Sequence, residues 1–383
     1  MLSSITNHTK CSTHTSPLAV LLLVCLLALL SSNTNAKLLT NKSKTQLFAS
    51  WTELMYAAWR GQPSTVSQLL AKPHNINATD EDERSALIYA AWNGDQKIIA
   101  ALLKDGAAIN QRDKDGLTAL AWAAKRGRLN ATTLLQQKGA QIDAQDNHGH
   151  SPLMWAVLMH QRPVVRYLLE NGANPNIKSR RGATALSIAA SLNYQRIAQL
   201  LLKYGSAINA NDKLGHSVLW FAADNGRLVL TRLLVKNGAD MDAADKHGQT
   251  PLMRAIKGGY QELALWLINH GANIGTVSRK GNTAMHFAAM RGDFPVIQAL
   301  LDAGANVDDA NVTGNTPLQL AVKGGFQKTT DLLLRNNADP SHANLLGDTA
   351  VAIAQNEKHQ KIVTLIKTYA DSDPGLLDKL FSK

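Results

Sequence analysis

The side chains equipped for chemistry are few, and they recur in register. His148 and His150 flank Gly149, and His216 and His247 stand at similar glycine-marked turns. Imidazoles so placed raise the question of zinc, which takes three or four convergent ligands oriented by further groups. His216 comes 66 residues after His150, so the spacing assembles no such site. The expectation is instead turns that grow more basic in mild acid. No phosphate-binding loop, zinc-protease helix, nucleophile elbow or dinucleotide fingerprint occurs. The Ser, His and Asp residues return at a fixed interval, which marks them as framework. The sequence predicts no catalytic residue, no metal and no cofactor.

The interval shows in the glycines. One ladder runs Gly116, Gly149, Gly182, Gly215, Gly248, Gly281, Gly314 and Gly347, each 33 residues after the last. A second runs Gly106, Gly139, Gly172, Gly205, Gly238, Gly271 and Gly304, with Asn337 on the next rung. A third, Gly61, Gly94, Gly127, Gly226, Gly259, Gly292 and Gly325, is filled by His160, Asn193 and Lys358. A fixed period of this length is the mark of a repeat array, whose units contact only their neighbours. No insertion interrupts the period, so no enlarged loop is left to carry an active site.

The unit from Asp113 to Gln145 shows what holds each element. Gly116 permits a tight turn, and Thr118 is placed to cap a short helix through Trp122, Ala123 and Ala124. Gly127 ends that helix, and a second helix carries Leu134 and Leu135 as core anchors before Gly139. Pro63, Pro163 and Pro295 fall where second helices begin, a position proline tolerates.

This string, with its Gly, T-A-L, A-A, G, L-L and G-A positions, resembles an ankyrin repeat. The nearer T-P-L form stands at Thr250–Leu252 and Thr316–Leu318, and His286 follows Thr283, Ala284 and Met285. The resemblance implies an all-α solenoid of about ten 33-residue helix-turn-helix repeats with β-hairpin fingers. Units start near 48, 81, 114, 147, 180, 213, 246, 279, 312 and 345 within residues 48–371, and residues 372–383 form a tail. The end units are altered: Ser50 and Glu83 replace the turn glycine, and Lys358 the mid-repeat one.

The resemblance also implies where a partner docks, on the finger tips and the exposed ends of the first helices. The tips are basic: Arg112, Lys114, Lys178, Arg180, Arg181, Lys213, Lys246, Arg279 and Lys280 stand against Asp113, Asp115, Asp146, Asp212 and Asp245, a balance of 9 − 5 = +4. Some of these carboxylates are expected to cap turn amides. The helix ends read Trp59 and Arg60, Trp92 and Asn93, Lys125 and Arg126, then Leu158 and Met159. Trp and Arg dominate interface hot spots, so the N-terminal half of the groove is the expected dock. The ladder Tyr56, Tyr89, Trp122, Trp155, Ile188, Phe221 and Phe287 is expected to wedge between helices as core.

Ahead of the repeats, Leu18–Leu30 is an unbroken apolar run preceded by Lys10 and followed by SSNTNA. It predicts a signal peptide over residues 1–36 cut after Ala36, then a tail over 37–47. A membrane span needs about 20 apolar residues. Both cysteines, Cys11 and Cys25, fall inside that segment, so the mature chain would carry no disulfide and no thiolate site. The chain has 45% hydrophobic and 18% charged residues and a formal charge of +11, which favours acidic partners. The composite expectation is an exported, monomeric, non-catalytic scaffold, periplasmic in a bacterium and otherwise secreted. It binds a protein partner with an acidic or amphipathic surface, with no small-molecule substrate, no nucleic acid and no membrane span after cleavage. The alternatives are a nonspecific binder of polyanions and an immunity or enzyme-protecting protein.

Overall fold

A serine or threonine stands at position 52 and at every thirty-third residue to Thr349, and each precedes a helix. In the computed structural model, which describes residues 50–371, twenty helices lie among the described residues as ten pairs. The stack runs from Glu53–Trp59 with Pro63–Leu70 to Ala350–Asn356 with Gln360–Ala370. The expected signal segment, the tail over 37–47 and the tail over 372–383 lie outside the described residues.

Local chemistry sets the helix ends. The hydroxyls of Thr118, Ser151, Ser217 and Thr250 each accept a hydrogen bond from the backbone N–H three residues on, at 3.0–3.3 Å. Such a cap satisfies one of the four orphan amides at a helix start. Pro63, Pro163 and Pro295 sit in the first turns of their second helices, as their positions predict. No helix among the described residues is long and apolar enough to cross a membrane.

Each first helix packs on its own second helix and on the first helix of the next unit. Small side chains make that approach possible. Ala90 with Ala91, Ala123 with Ala124, Ala189 with Ala190 and Ala288 with Ala289 are fully buried. The second helices contribute a column of anchors, Leu102, Leu135, Leu168, Leu201, Leu234, Leu267, Leu300, Leu333 and Ile366, all buried. Of the expected leucine pair, Leu135 faces the core and Leu134 is half-buried. The wedge ladder is likewise core at Tyr89, Trp122, Ile188 and Phe287, with Trp155 and Phe221 half-buried and Tyr56 exposed.

The β-hairpin fingers need correction. No strand occurs among the described residues, and one isolated bridge, Arg112 to Thr118, stands where strand pairing was expected. In that finger Asp113 N–H donates to Leu117 O at 3.0 Å and Gly116 N–H to Asp113 O at 2.8 Å. The remaining amides of the turn are taken by a side chain instead, so the arms never extend into a ladder.

His286 is a buried exception with a consequence. Its Nδ1 accepts from the Thr283 N–H at 3.1 Å, which leaves Nε2–H to donate to Asn315 O at 3.1 Å. Burial lowers its pKa below the ordinary value despite the backbone acceptor. The unfolded chain therefore binds this proton more readily than the folded one, and stability falls as pH drops through about 6.5. One unit later Gln319 makes the same pair of bonds, accepting from Thr316 N–H and donating to Asp348 O. His286→Gln is thus expected to keep stability at pH 7 within about 1 kcal/mol and to flatten its decline between pH 7 and 5. Urea titrations at both pH values check this, and an unchanged pH slope in the variant would refute it.

Candidate functional site

The tips are held by carboxylates turned inward. Asp113 Oδ1 accepts from the N–H groups of Asp115 and Leu117, at 3.1 and 2.8 Å. Asp146, Asp212 and Asp245 repeat the arrangement in their own fingers. Ser179 and Ser278 hold the same place with a single bond, and Asn311 and Asn344 with two. The expectation that these acids cap turns is met. Of the five tip carboxylates only Asp115 is exposed, whereas all nine basic side chains are.

A backbone bond joins each finger to the one before it. Lys114 N–H donates to Asp82 O, Arg180 to His148, Lys213 to Arg181, Lys246 to Leu214 and Arg279 to His247, at 2.8–3.0 Å. The series continues with Val312 to Lys280 and Leu345 to Thr313. Lys114, Arg180, Lys213, Lys246 and Arg279 therefore occupy one rung of a continuous edge, and Arg181 and Lys280 the next. Beyond Lys280 the edge turns apolar, with Leu345 77% and Leu346 85% exposed.

Over the second to fourth units the first helices build a strip in which indoles and cations alternate. The Trp92 and Trp122 rings stack at 4.4 Å with 14° between planes. Lys125 Nζ lies 4.5 Å from the Trp122 centroid and 3.9 Å from that of Trp155. Arg126 sits over Trp92 at 5.2 Å, and Arg84 reaches both Trp92 and Trp122, at 5.9 and 5.4 Å. Indole faces attract such cations through their quadrupole. The ring edges are anchored as well: Trp122 Nε1–H donates to Asp113 Oδ2 at 2.7 Å and Trp155 Nε1–H to Asp146 Oδ2 at 2.9 Å.

This packing perturbs the ionisable groups. Burial lowers the pKa of Lys125, against the pull of Asp113, Asp115 and Asp146. Burial raises Asp113 even though Trp122 and the Leu117 N–H stabilise its charge. At Asp146 burial also works against the charge, but bonds from His150, Trp155 and the turn amides outweigh it and hold the carboxyl at about 2. The strip holds partly desolvated cations between aromatic faces, an arrangement suited to binding a surface. Among the described residues no group of three His, Cys, Asp or Glu side chains is placed to hold a metal.

Among the helix-end residues, the structure brings Trp92, Lys125 and Arg126 together. Trp59 and Trp92 are half-buried, so each offers part of a face. Trp59 lies 5.9 Å from Tyr56, and Asn93 Nδ2 donates to the Ala58 carbonyl at 3.2 Å and also to that of Trp59. Arg60 and Met159 are exposed and Leu158 is half-buried. Sequence reasoning missed Arg84, whose ion pairs reach Asp82 at 3.0 Å and Asp113 at 3.8 Å. It also stopped short of Lys257, Met290 and Arg291, which occupy the helix-end rungs of Lys125 and Arg126 in later units. Following those rungs past Met159 would have found them.

The comparisons with known proteins agree with the geometry. The family model described as ankyrin repeats (3 copies) matches residues 22–113, 106–179, 132–212, 186–278 and 274–344. No curated protein matches the chain. Ankyrin repeats generally mediate protein–protein interaction. With the matches running from residue 22 to 344, over nine of the ten helix pairs, this chain belongs to the ankyrin-repeat family.

Proposed function

We propose that the chain is a non-catalytic scaffold or adaptor that docks a protein partner on the accessible faces of Trp92, Lys125 and Trp155, which the buried Trp122 supports from beneath, with Arg126 at the margin. The observation that carries this reading is Lys125, a cation held between two indoles and partly stripped of water. A partner carboxylate placed there gains in a setting where water competes poorly. The basic tips add long-range attraction for an acidic surface. The apolar run at residues 18–30 supports action outside the cytoplasm after removal of residues 1–36, and sequencing the mature N-terminus tests that step.

Photo-crosslinking from position 126 in the native compartment identifies the partner. Its affinity is then measured against Trp92→Ala combined with Lys125→Ala, with folding checked by circular dichroism. The expected result is a loss of at least about tenfold, or about 1.4 kcal/mol. An unchanged affinity in a folded variant overturns the assignment. Nine exposed tip cations favour a second reading, a nonspecific polyanion binder, and salt separates the two. Polyanion binding falls steeply and log-linearly with salt, whereas docking on indoles keeps most of its affinity.

A further inference from the structure

Between the seventh and eighth units a cavity of about 400 Å³ opens where two fingers face the ends of two first helices. Its wall carries four basic side chains: Arg279 and Lys280 from one finger, Lys257 from helix Pro251–Gly258 and Arg291 from helix Ala284–Arg291. No carboxylate lines it. Phe287, only 7% exposed, and Met290, 40% exposed, supply an apolar side.

These four cations share one cavity and have no internal neutralisation there. Elsewhere along the groove Arg84 is paired with Asp82 and Asp113, and Arg254 with Asp224. None of Lys257, Arg279, Lys280 and Arg291 has a carboxylate within ion-pair distance among the described residues. Arg291 is instead positioned by a bond from Nη1 to the Lys257 carbonyl at 3.3 Å, which ties it across the boundary between units. Like charges gathered at one cleft repel one another and focus a positive field into it. A ligand with several negative groups relieves that repulsion.

We infer that this cavity is a second recognition site, for an acidic peptide segment of a partner in which two or more carboxylates flank an apolar side chain. The carboxylates meet the four cations and the apolar residue covers Met290 against Phe287. A bare polyanion uses only the charges and leaves that wall wet. The inference rests on the scaffold reading and adds a contact with its own chemistry, independent of the Trp92–Lys125 strip.

The test is calorimetric titration of the full chain with a synthetic pentapeptide of leucine between two pairs of glutamates. Its serine-centred and all-glutamine analogues, tripolyphosphate and vesicles with one-third anionic lipid are run in parallel. The expected result is that the leucine peptide binds at least tenfold more tightly than the glutamine analogue and several-fold more tightly than the serine one. Lys257→Gln with Arg291→Gln is expected to weaken it at least tenfold. Lys328→Gln with Lys361→Gln, which removes the same charge from second helices, is expected to change it less than twofold. Met290→Ser is expected to abolish the preference for leucine over serine. Equal weakening by the two double variants overturns the site. So does binding of tripolyphosphate or vesicles as tight as the peptide's, or no binding of the peptide at all. Because the readout is this peptide alone, failure of the N-terminal docking reading leaves the result unaltered.

Discussion

Trp122→Ala is expected to destabilise the N-terminal units by about 3–5 kcal/mol, the range for removing a buried tryptophan. The side chain is 3% exposed and joins four separate contacts: the Trp92 stack, the Arg84 guanidinium, the Lys125 ammonium and the Asp113 carboxylate. Its loss opens a void between adjacent first helices and removes the indole donor from a carboxylate whose pKa burial already raises. Trp122→Phe keeps most of the ring but not that donor, and is expected to cost about 1–3 kcal/mol, the range for leaving a buried polar group unsatisfied. In an array, stability is a sum of unit and nearest-neighbour interface terms. The loss is therefore expected to show as an early phase in urea unfolding, read by fluorescence of the remaining tryptophans, while the phase from the C-terminal units keeps its midpoint. A single transition shifted by under about 0.5 kcal/mol, the scatter expected of a neutral surface change, would show that Trp122 is not the keystone of this segment.

Much of that segment is legible in the sequence, and the reason is local. The 33-residue interval, the helix starts at Ser and Thr, the proline sites and the alanine-lined interface depend on residues a few positions apart. Turn and cap chemistry determine them without knowledge of the stack. The wedge ladder is legible too, since a large ring after each cap has the helix neighbours to cover it, as at Tyr89 and Trp122.

What escapes depends on side chains brought together from different units. Arg84 meets Trp122 across 38 positions because neighbouring fingers and helices stack, and no pattern inside one unit indicates it. The basic cavity joins Lys257 with Arg291 for the same reason. The β-hairpin arms implied by the family resemblance give way to turns because Asp, Ser or Asn side chains take the amides that strand pairing would use.

The glycine ladders differ in how strictly they need glycine, which leads to a second large effect. At Gly182 φ is +83°, and a Cβ there would lie 2.8 Å from Lys213 N and 3.0 Å from Asp212 Cα. Both atoms belong to the next finger's backbone, whose Lys213 N–H donates to Arg181 O at 3.0 Å. The finger cannot withdraw without breaking that link. Gly182→Val is expected to cost about 2–5 kcal/mol, from left-handed backbone strain and overpacking together. Gly172 has a similar φ, +87°, but a Cβ there meets nothing within 4 Å. Asn337 already occupies the equivalent rung of a later unit at φ +65°. Gly172→Asn is therefore expected to cost no more than about 1 kcal/mol, because asparagine visits this region readily. Glu83 stands on the Gly182 rung near the start of the array with φ reduced to +58°. Urea titrations of the variants measure these losses. Gly182→Asn, matched to Gly172→Asn, isolates the cause: equal losses from these two would mean that backbone conformation alone requires glycine on both rungs, whereas the expected larger loss at Gly182 assigns the difference to contact between neighbouring fingers, the same contact that keeps the basic tips on one edge.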